Sequence, residues 1–491
     1  MDANAFSLGP RKAVTTIAAM PLRTPAEYRA AVSADGRALF YQGRKVDDIL
    51  AEPELRVAVD HAAIDYAVAE DPAHRDLAVT VDPVTGREHS AYYKVPRSTE
   101  DLLARSALIE LCTGLGGTMV TLIKEIGSDG CFALLRALDG EALERATAFL
   151  RHCQDGDLAV AVAQTDVKGD RSKGPSEQED PDRYVRVVDE GPDGIVVRGA
   201  KCHTSISANA DEIIVLPTRA MGPNDADYAV SFAVPANANG LSMYISSYGA
   251  GDRDPWDFPL SSRHKMLETL TVFDDVFVPW ERVFLCREPE KAGDLALRFV
   301  EYHRFTAVSY KLPLLDLLVG SAALVAQMNG VIKAGHIRDK LTQLVIYAET
   351  VRALTHMAAQ RAIVDERGQA YPDPLTTNLA KYTFATQYHE AIERVQDCAG
   401  GLLVTGPGAQ DWASPDVRPV LEKYFGAAAP ASERLPVMNL IADLTARDFG
   451  GYHAVLAVHA EGSIEAEKMQ IFRSYDAAGP IAYAKRLVGL D

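Results

Sequence analysis

The period of the apolar positions changes twice along the chain. From about residue 20 to 150 they recur at helical spacing, and two helix starts are marked. Thr24-Pro25-Ala26-Glu27 reads as a capping box with proline at the first helical position, and Ser98 with Asp101 opens a second helix in the same way. From about 155 to 285 the pattern becomes short runs of β-branched and aromatic residues. GIVVRGAK, EIIVLPT, YAVSFAVPA, LSMYISSY and ETLTVFDDVFVP are five such runs, separated by Gly, Pro, Asn and Asp. After residue 290 the helical period returns. Leu341, Leu344, Ala348 and Val351 mark one long amphipathic helix, and Leu379, Tyr382, His389 and Ile392 fit another. A chain of 491 residues is too long for one core. The pattern predicts an α+β protein in three domains: mainly helical residues 1–154, an antiparallel β domain over 155–287, and a helical bundle over 288–491.

Composition narrows the function classes. Fifty basic against 68 acidic residues give a net charge of −18, which opposes sequence-independent binding to nucleic acid or to anionic membranes. The start MDANAFSLGPRKAVTTIAAM lacks the basic opening and long apolar run of a signal peptide. The most apolar window, Leu312 to Met328, carries Asp316 and Gly320 and is short for a span, so it is expected to be a core helix. Six cysteines without a CxxC pair read as free thiols of a cytoplasmic protein rather than a zinc or disulfide framework. GxGxxG, Walker A and GxSxG motifs are absent, which removes support for Rossmann, P-loop and α/β-hydrolase readings.

Seven segments carry a resemblance. They are STEDL (98–102), TDVKGDRS (165–172), GIVVRGAKCHTS (194–205), PLSSR (259–263), FDDVFVPWERVF (273–284), YHR (302–304) and CAGGLLVT (398–405). In this order and spacing the chain resembles the 4-hydroxyphenylacetate 3-hydroxylase oxygenase components together with 4-hydroxybutyryl-CoA dehydratase, within the acyl-CoA dehydrogenase architecture. The resemblance implies FAD held between the β domain and the helical bundle, in a homotetramer. On the flavin side it points to Thr165, Asp166, Lys168, Gly169, Asp170 and Arg171, to Lys201, Cys202, His203 and Thr204, and to Gly400 and Gly401 reaching a neighbouring subunit's cofactor. The residues agree with this. Gly169 permits a tight loop, and Lys168 and Arg171 offer charge to a phosphate or a flavin carbonyl. Taken alone, the same segments also read as a solvated charged loop, a satisfied histidine and a helix C-cap.

The helix stretch YHRFTAVSYK places His303, Tyr310 and Lys311 on one stripe, either as a proton-handling wall or as a structural face. The resemblance separates the two branches of the family. The dehydratase branch holds an iron–sulfur cluster with three cysteines and a histidine, and thiolates are indispensable to such a cluster. The histidine matches His303, but the cysteine slots fall on Tyr310, Met119 and Ile123, with Cys112 one to three turns earlier. No metal is therefore expected. The Arg, Tyr and His that hold a phenol in the hydroxylases fall on Leu122, Ile126 and Val162, so 4-hydroxyphenylacetate is not the expected substrate.

The resulting expectation is an FAD-dependent two-component monooxygenase. It would receive reduced FAD from a separate flavin reductase and use O2 to oxygenate a small organic substrate, aromatic ones included, with His303, Tyr310 and Lys311 as the catalytic set. Two alternatives stand beside it. One is a redox-neutral FAD enzyme acting on an acyl-CoA without the cluster, and the other is a flavin-binding scaffold without turnover.

Overall fold

The computed structural model describes residues 22–249 and 251–490; the N-terminal stretch read above for a leader lies outside them. Thr24 starts helix α1 (Pro25–Ala34) as expected: its hydroxyl accepts the Glu27 N–H at 3.1 Å, and the Glu27 carboxylate accepts the Thr24 N–H at 2.8 Å. The next residues depart from the helical expectation. A hairpin, β1 (Ala38–Tyr41) and β2 (Arg44–Val46), leaves the helical region and joins the middle domain. Helices α2 (Thr99–Leu115, capped by Ser98), α3 (Glu125–Ala137) and α4 (Gly140–Gly156) follow.

The β region begins with β3 (Val160–Ala163), β4 (Arg186–Glu190), β5 (Gly194–Ser205) and β6 (Glu212–Val215). It ends with β7 (Val230–Pro235), β8 (Leu241–Ile245), β9 (Glu268–Pro279) and β10 (Val283–Cys286). All five strand runs read from the sequence are present. Six strands form one sheet in the order β2-β1-β8-β9-β5-β4, and four form a second in the order β10-β7-β6-β3. The expected antiparallel pairing holds except twice: β1 runs parallel to β8, and β3 parallel to β6. Both exceptions are strands that the chain reaches by long crossovers rather than by hairpins. β6 and β7 are buried on both faces between the sheet and the helices, which explains their continuous apolar runs.

The C-terminal region is helical: α5 (Pro289–Tyr310), α6 (Leu312–Met328), α7 (Gly335–Gln360) and α8 (Pro374–Ala399), then α9 (Ala431–Thr445), α10 (Asp448–His459) and α11 (Ile464–Ser474). Among the described residues, the stretch α5–α6 is the one long and apolar enough to cross a membrane, and over half of its apolar window is buried. Leu312, Leu315, Leu318, Ala322 and Val325 of α6 pack in the core, as read from the sequence. On α7, Leu344, Ala348 and Val351 are buried. On α8 the buried stripe differs from the expected one. It runs through Thr377, Lys381, Phe384, Tyr388, Ala391 and Val395, while His389 is exposed. The stripe is rotated because Lys381 is drawn inward by two buried glutamates.

Candidate active site

Helices α2, α3 and α5 bring together a buried polar group around Asp129. Phe299, Tyr302 and Phe305 anchor the apolar side of α5, and this turns His303 and Thr306 toward α3. Asp129 Oδ1 accepts from Arg105 Nη2 at 2.7 Å and from Thr306 Oγ1 at 3.0 Å. Its Oδ2 lies 3.3 Å from His303 Nδ1. The Asp129 side chain has no exposed surface, and that of His303 keeps 13 %. A carboxylate is an acceptor, so Nδ1 carries the proton and Nε2 the lone pair. The imidazole is fixed by stacking on Phe299, at 5.0 Å between centroids. Arg105 is held in turn by the Tyr92 and Glu125 carbonyls and by Ser128 Oγ, at 2.9–3.0 Å.

An acidic pair, Asp65 and Glu125, lies near the start of α3. Thr121 Oγ1 donates to Asp65 Oδ1 at 2.7 Å and lies 2.9 Å from Glu125 Oε1. Burial, followed by the charge of Glu125, pushes the Asp65 carboxyl well above the usual carboxylate range. Thr121, Glu125 and Asp129 therefore form a polar stripe at four-residue spacing that leads to His303. The sequence reading did not single it out. The positions on which the family's cluster and phenol-holding slots fall, Met119, Leu122, Ile123, Ile126 and Val162, all belong to the apolar core.

Tyr310 and Lys311, expected beside His303, meet a different partner. The Tyr310 hydroxyl bonds to the Glu461 carboxylate, and Lys311 Nζ lies 3.0 Å from Glu461 Oε2. Lys381 completes the cluster, 3.6 Å from Glu461 and 3.1 Å from Glu467, and Arg304 Nε donates to the Glu461 carbonyl at 2.9 Å. Burial pushes the Lys311 amine well below its ordinary range, and the nearby Lys381 charge adds to this. Burial, with the Glu467 charge beside it, pushes the Glu461 carboxyl well above its own. His453 follows the same logic, lowered to about 4 by burial and then by Lys311; its Nε2 has no partner among the described residues.

The segments expected to meet a flavin gather at the ends of β3 and β5. Lys201 Nζ forms a buried ion pair with Asp166 at 2.6 Å and donates to the Gln164 and Leu216 carbonyls, so its amine is engaged within the fold. Cys202 N–H donates to the Thr165 carbonyl at 2.9 Å. The loop turns at Lys168 and Gly169, both at positive φ; a Cβ at Gly169 would stand 2.3 Å from Gln178 Oε1. Asp170 accepts from Ser172, while its own N–H donates to Gln178 Oε1. Arg171 and His203 are exposed, and Cys202 Sγ lies 3.5 Å from His203 Nδ1. Thr204 is fully buried with an unpartnered Oγ1, on the same strand face as Lys201 and beside the hydroxyl chain Ser207–Thr269–Thr271. On the opposite face Ser205 and Tyr452 both donate to Glu268, and Tyr452 stacks on Tyr248 at 4.5 Å. Gly400 and Gly401 end α8 in open space and touch none of these groups within the chain.

The donor sets test the two implied groups. The polar seam with its unpartnered Thr204 Oγ1 and the unpartnered His453 Nε2 fit a bound flavin with hydrogen-bonding edges. The surroundings of His303 do not fit a thiolate-held cluster. The partners there are Asp129 and Phe299, Tyr310 stands in a cysteine slot, and its hydroxyl is committed to Glu461.

Comparisons with known proteins agree with this layout. Residues 24–285 match the family model "4-hydroxyphenylacetate 3-hydroxylase N terminal" and residues 292–489 match "4-hydroxyphenylacetate 3-hydroxylase C terminal". The chain is similar to the 4-hydroxybutyryl-CoA dehydratase/vinylacetyl-CoA-Δ-isomerase of Clostridium aminobutyricum, 31 % identical with 96 % of this chain and 100 % of that one covered. It is also similar to the 4-hydroxyphenylacetate 3-monooxygenase oxygenase component of Thermus thermophilus, 31 % identical with 87 % and 89 % covered. The solved oxygenase component of 4-hydroxyphenylacetate 3-monooxygenase complexed with FAD superposes with a TM-score of 0.89 at 29 % identity, covering 95 % of this chain and 98 % of that one.

Proposed function

Since the chain belongs to the 4-hydroxyphenylacetate 3-hydroxylase family, we propose that it is an FAD-dependent oxygenase of the two-component type, acting on a small organic substrate. The observation that carries this reading is the His303–Asp129–Arg105 relay, a proton-handling group where the other branch needs cluster ligands. Bound FAD, reduced by a separate reductase, would supply the oxygen-activating chemistry. Thr165–Arg171 and Lys201–Thr204 would hold it, and Gly400–Gly401 of a neighbouring copy would approach it in a homotetramer. His303 Nε2 takes a proton from a substrate hydroxyl or similar group. Asp129 stabilises the resulting imidazolium, and Arg105 keeps Asp129 oriented. The Tyr310–Lys311–Glu461 cluster closes the helical side of the site and excludes water.

The test supplies chemically reduced FAD and 18O2 to the purified protein with a panel of phenols and other small aromatics. Incorporation of label into product supports the reading; stoichiometric release of hydrogen peroxide with no labelled product for any substrate defeats it.

A second reading, a redox-neutral enzyme for acyl-CoA thioesters, is favoured by the full-length similarity to the dehydratase and by retention of His303. In that case His303 would move a proton between carbons, and Lys311 with Arg171 would meet the thioester or carboxyl group. Turnover of an acyl-CoA under strict anaerobiosis with oxidised FAD would select it over oxygenation.

A further inference from the structure

The last described helix is not used by its own fold. Helix α11 is tied to the body by Glu467, which is fully buried and 3.1 Å from Lys381. The side it turns outward is apolar: Met469 is more than half exposed, Phe472 is 84 % exposed, and Tyr475 continues the surface. A short link then leads to α12 (Ala478–Val488), in which no residue is buried. At helical spacing α12 has two unlike halves. Ile481, Tyr483, Leu487 and Val488 share one, each more than half exposed, and Leu490 follows them. Lys485 and Arg486 lie on the other, with Arg486 reaching back over the Tyr483 ring at 5.1 Å.

Two physical arguments require a cover for the apolar half. A helix of 11 residues is too short to persist in water on propensity alone, and owes its stability to packing of an apolar face. A cluster of large apolar side chains on one short segment also exceeds the scattered exposure that is normal for a monomer's surface. Charge selects the cover. Residues 477–490 carry two cations and no anion, whereas the chain as a whole stands at −18. An anionic bilayer would repel the rest of such a chain. The body of a second copy is instead acidic, and it exposes an apolar stripe of its own at Val345, Ile346 and Met357 along α7.

We propose that the arm from Phe472 to Leu490 packs its apolar half on the body of a second copy of this chain, with Lys485 and Arg486 facing acidic side chains there. Two-fold symmetry returns the second arm to the first body, so that one contact is made twice. The arm is rooted at Glu467, so the contact ties the neighbouring copy to the Lys311–Lys381–Glu461 wall of the site. The proposal builds on the homotetramer of the proposed function and is independent of oxygenation.

The experiment is sedimentation velocity of the full-length protein over a dilution series, comparing the wild type with the double variant Ile481→Glu, Leu487→Glu. The wild type is expected to sediment as an oligomer. The double variant is expected to weaken self-association about a hundredfold or more, because two apolar contacts become two desolvated carboxylates. Arg486→Glu is expected to weaken it about tenfold at low salt and less at high salt. None of these side chains is buried in its own subunit, so the variants should keep the circular dichroism of the wild type. Should the double variant fail to fold, Leu487→Ala decides, with association expected to weaken about tenfold. Variants that associate like an oligomeric wild type overturn the arm and leave the homotetramer standing; a monomeric wild type overturns both. Flotation with vesicles of equimolar phosphatidylcholine and phosphatidylserine tests the other cover. Binding of the wild type to these vesicles, lost in the double variant, assigns the arm to lipid and overturns the proposal.

Discussion

The two ends of one helix stripe teach different lessons. His303 and Tyr310 lie seven residues apart on α5 and looked equivalent in the sequence. At the His303 end a single anion, Asp129, is shared among an arginine, a hydroxyl and an imidazole that still has exposed surface. At the Tyr310–Lys311 end two lysines face two glutamates with almost no exposure, and each group depends on the others for a hydrogen-bond partner. The first arrangement suits chemistry, and the second suits closure of a dry wall.

The contrast can be broken by substitution. Glu461→Ala leaves Lys311 and Lys381 without their shared acceptor, so a loss of about 3–5 kcal/mol of stability is expected, read as a lower urea midpoint. A variant as stable as wild type would remove the structural account of that end. His303→Ala is expected to act the other way round: turnover down about 10²–10³-fold with a melting temperature close to wild type. If the melting temperature collapses and residual activity per folded molecule is unchanged, the two ends are alike after all.

Acid separates them further. His453, beside Lys311, has its folded value lowered to about 4, so below 6.5 the unfolded chain binds a proton that the folded chain refuses. Its share of the stability is therefore complete above pH 6.5 and falls as pH drops toward 4, by roughly 1.4 kcal/mol per pH unit. His453→Phe should flatten that part of the stability curve in a series of urea melts. The smallest effect belongs to Thr306→Val, which removes one of the hydrogen bonds to Asp129. A loss of about 1 kcal/mol and a few-fold fall in kcat are expected, with a changed pH–rate profile as the distinguishing sign.

Much of the architecture was legible in the chain itself. The capping residues Thr24 and Ser98 sit where they were read, and the five β-rich runs became strands, alternating in β5, β8 and β9 and continuously apolar in the doubly covered β6 and β7. The β1–β2 hairpin was not legible. Its partner β8 is remote in the chain, and two strands of four and three residues carry too little alternation to stand out. The site was legible in its types and not in its partners. His303 and Tyr310 lie on one helix as read, with Lys311 just past its end, yet nothing in YHRFTAVSYK announces Asp129 or Glu461, which arrive from other parts of the chain. Gap-free matching from STEDL set the family's two upstream cysteine slots on Met119 and Ile123, which lie beyond the helix end at Leu115 in a segment where Thr118 and Leu122 adopt positive φ.

The parallel pairing of β1 with β8 bears on how the chain is made. Ala38 lies opposite Ser242, so the large sheet stays unclosed at that edge until the ribosome has released the β8 segment. Until then β1 and β2 present bare strand edges beside the nascent N-terminal helices, and the long loop entropy must be spent before any ladder bond is gained. The pairing thus makes the large sheet's edge a late, high-contact-order step, with the hairpin's free strand edge the group that it leaves unprotected longest.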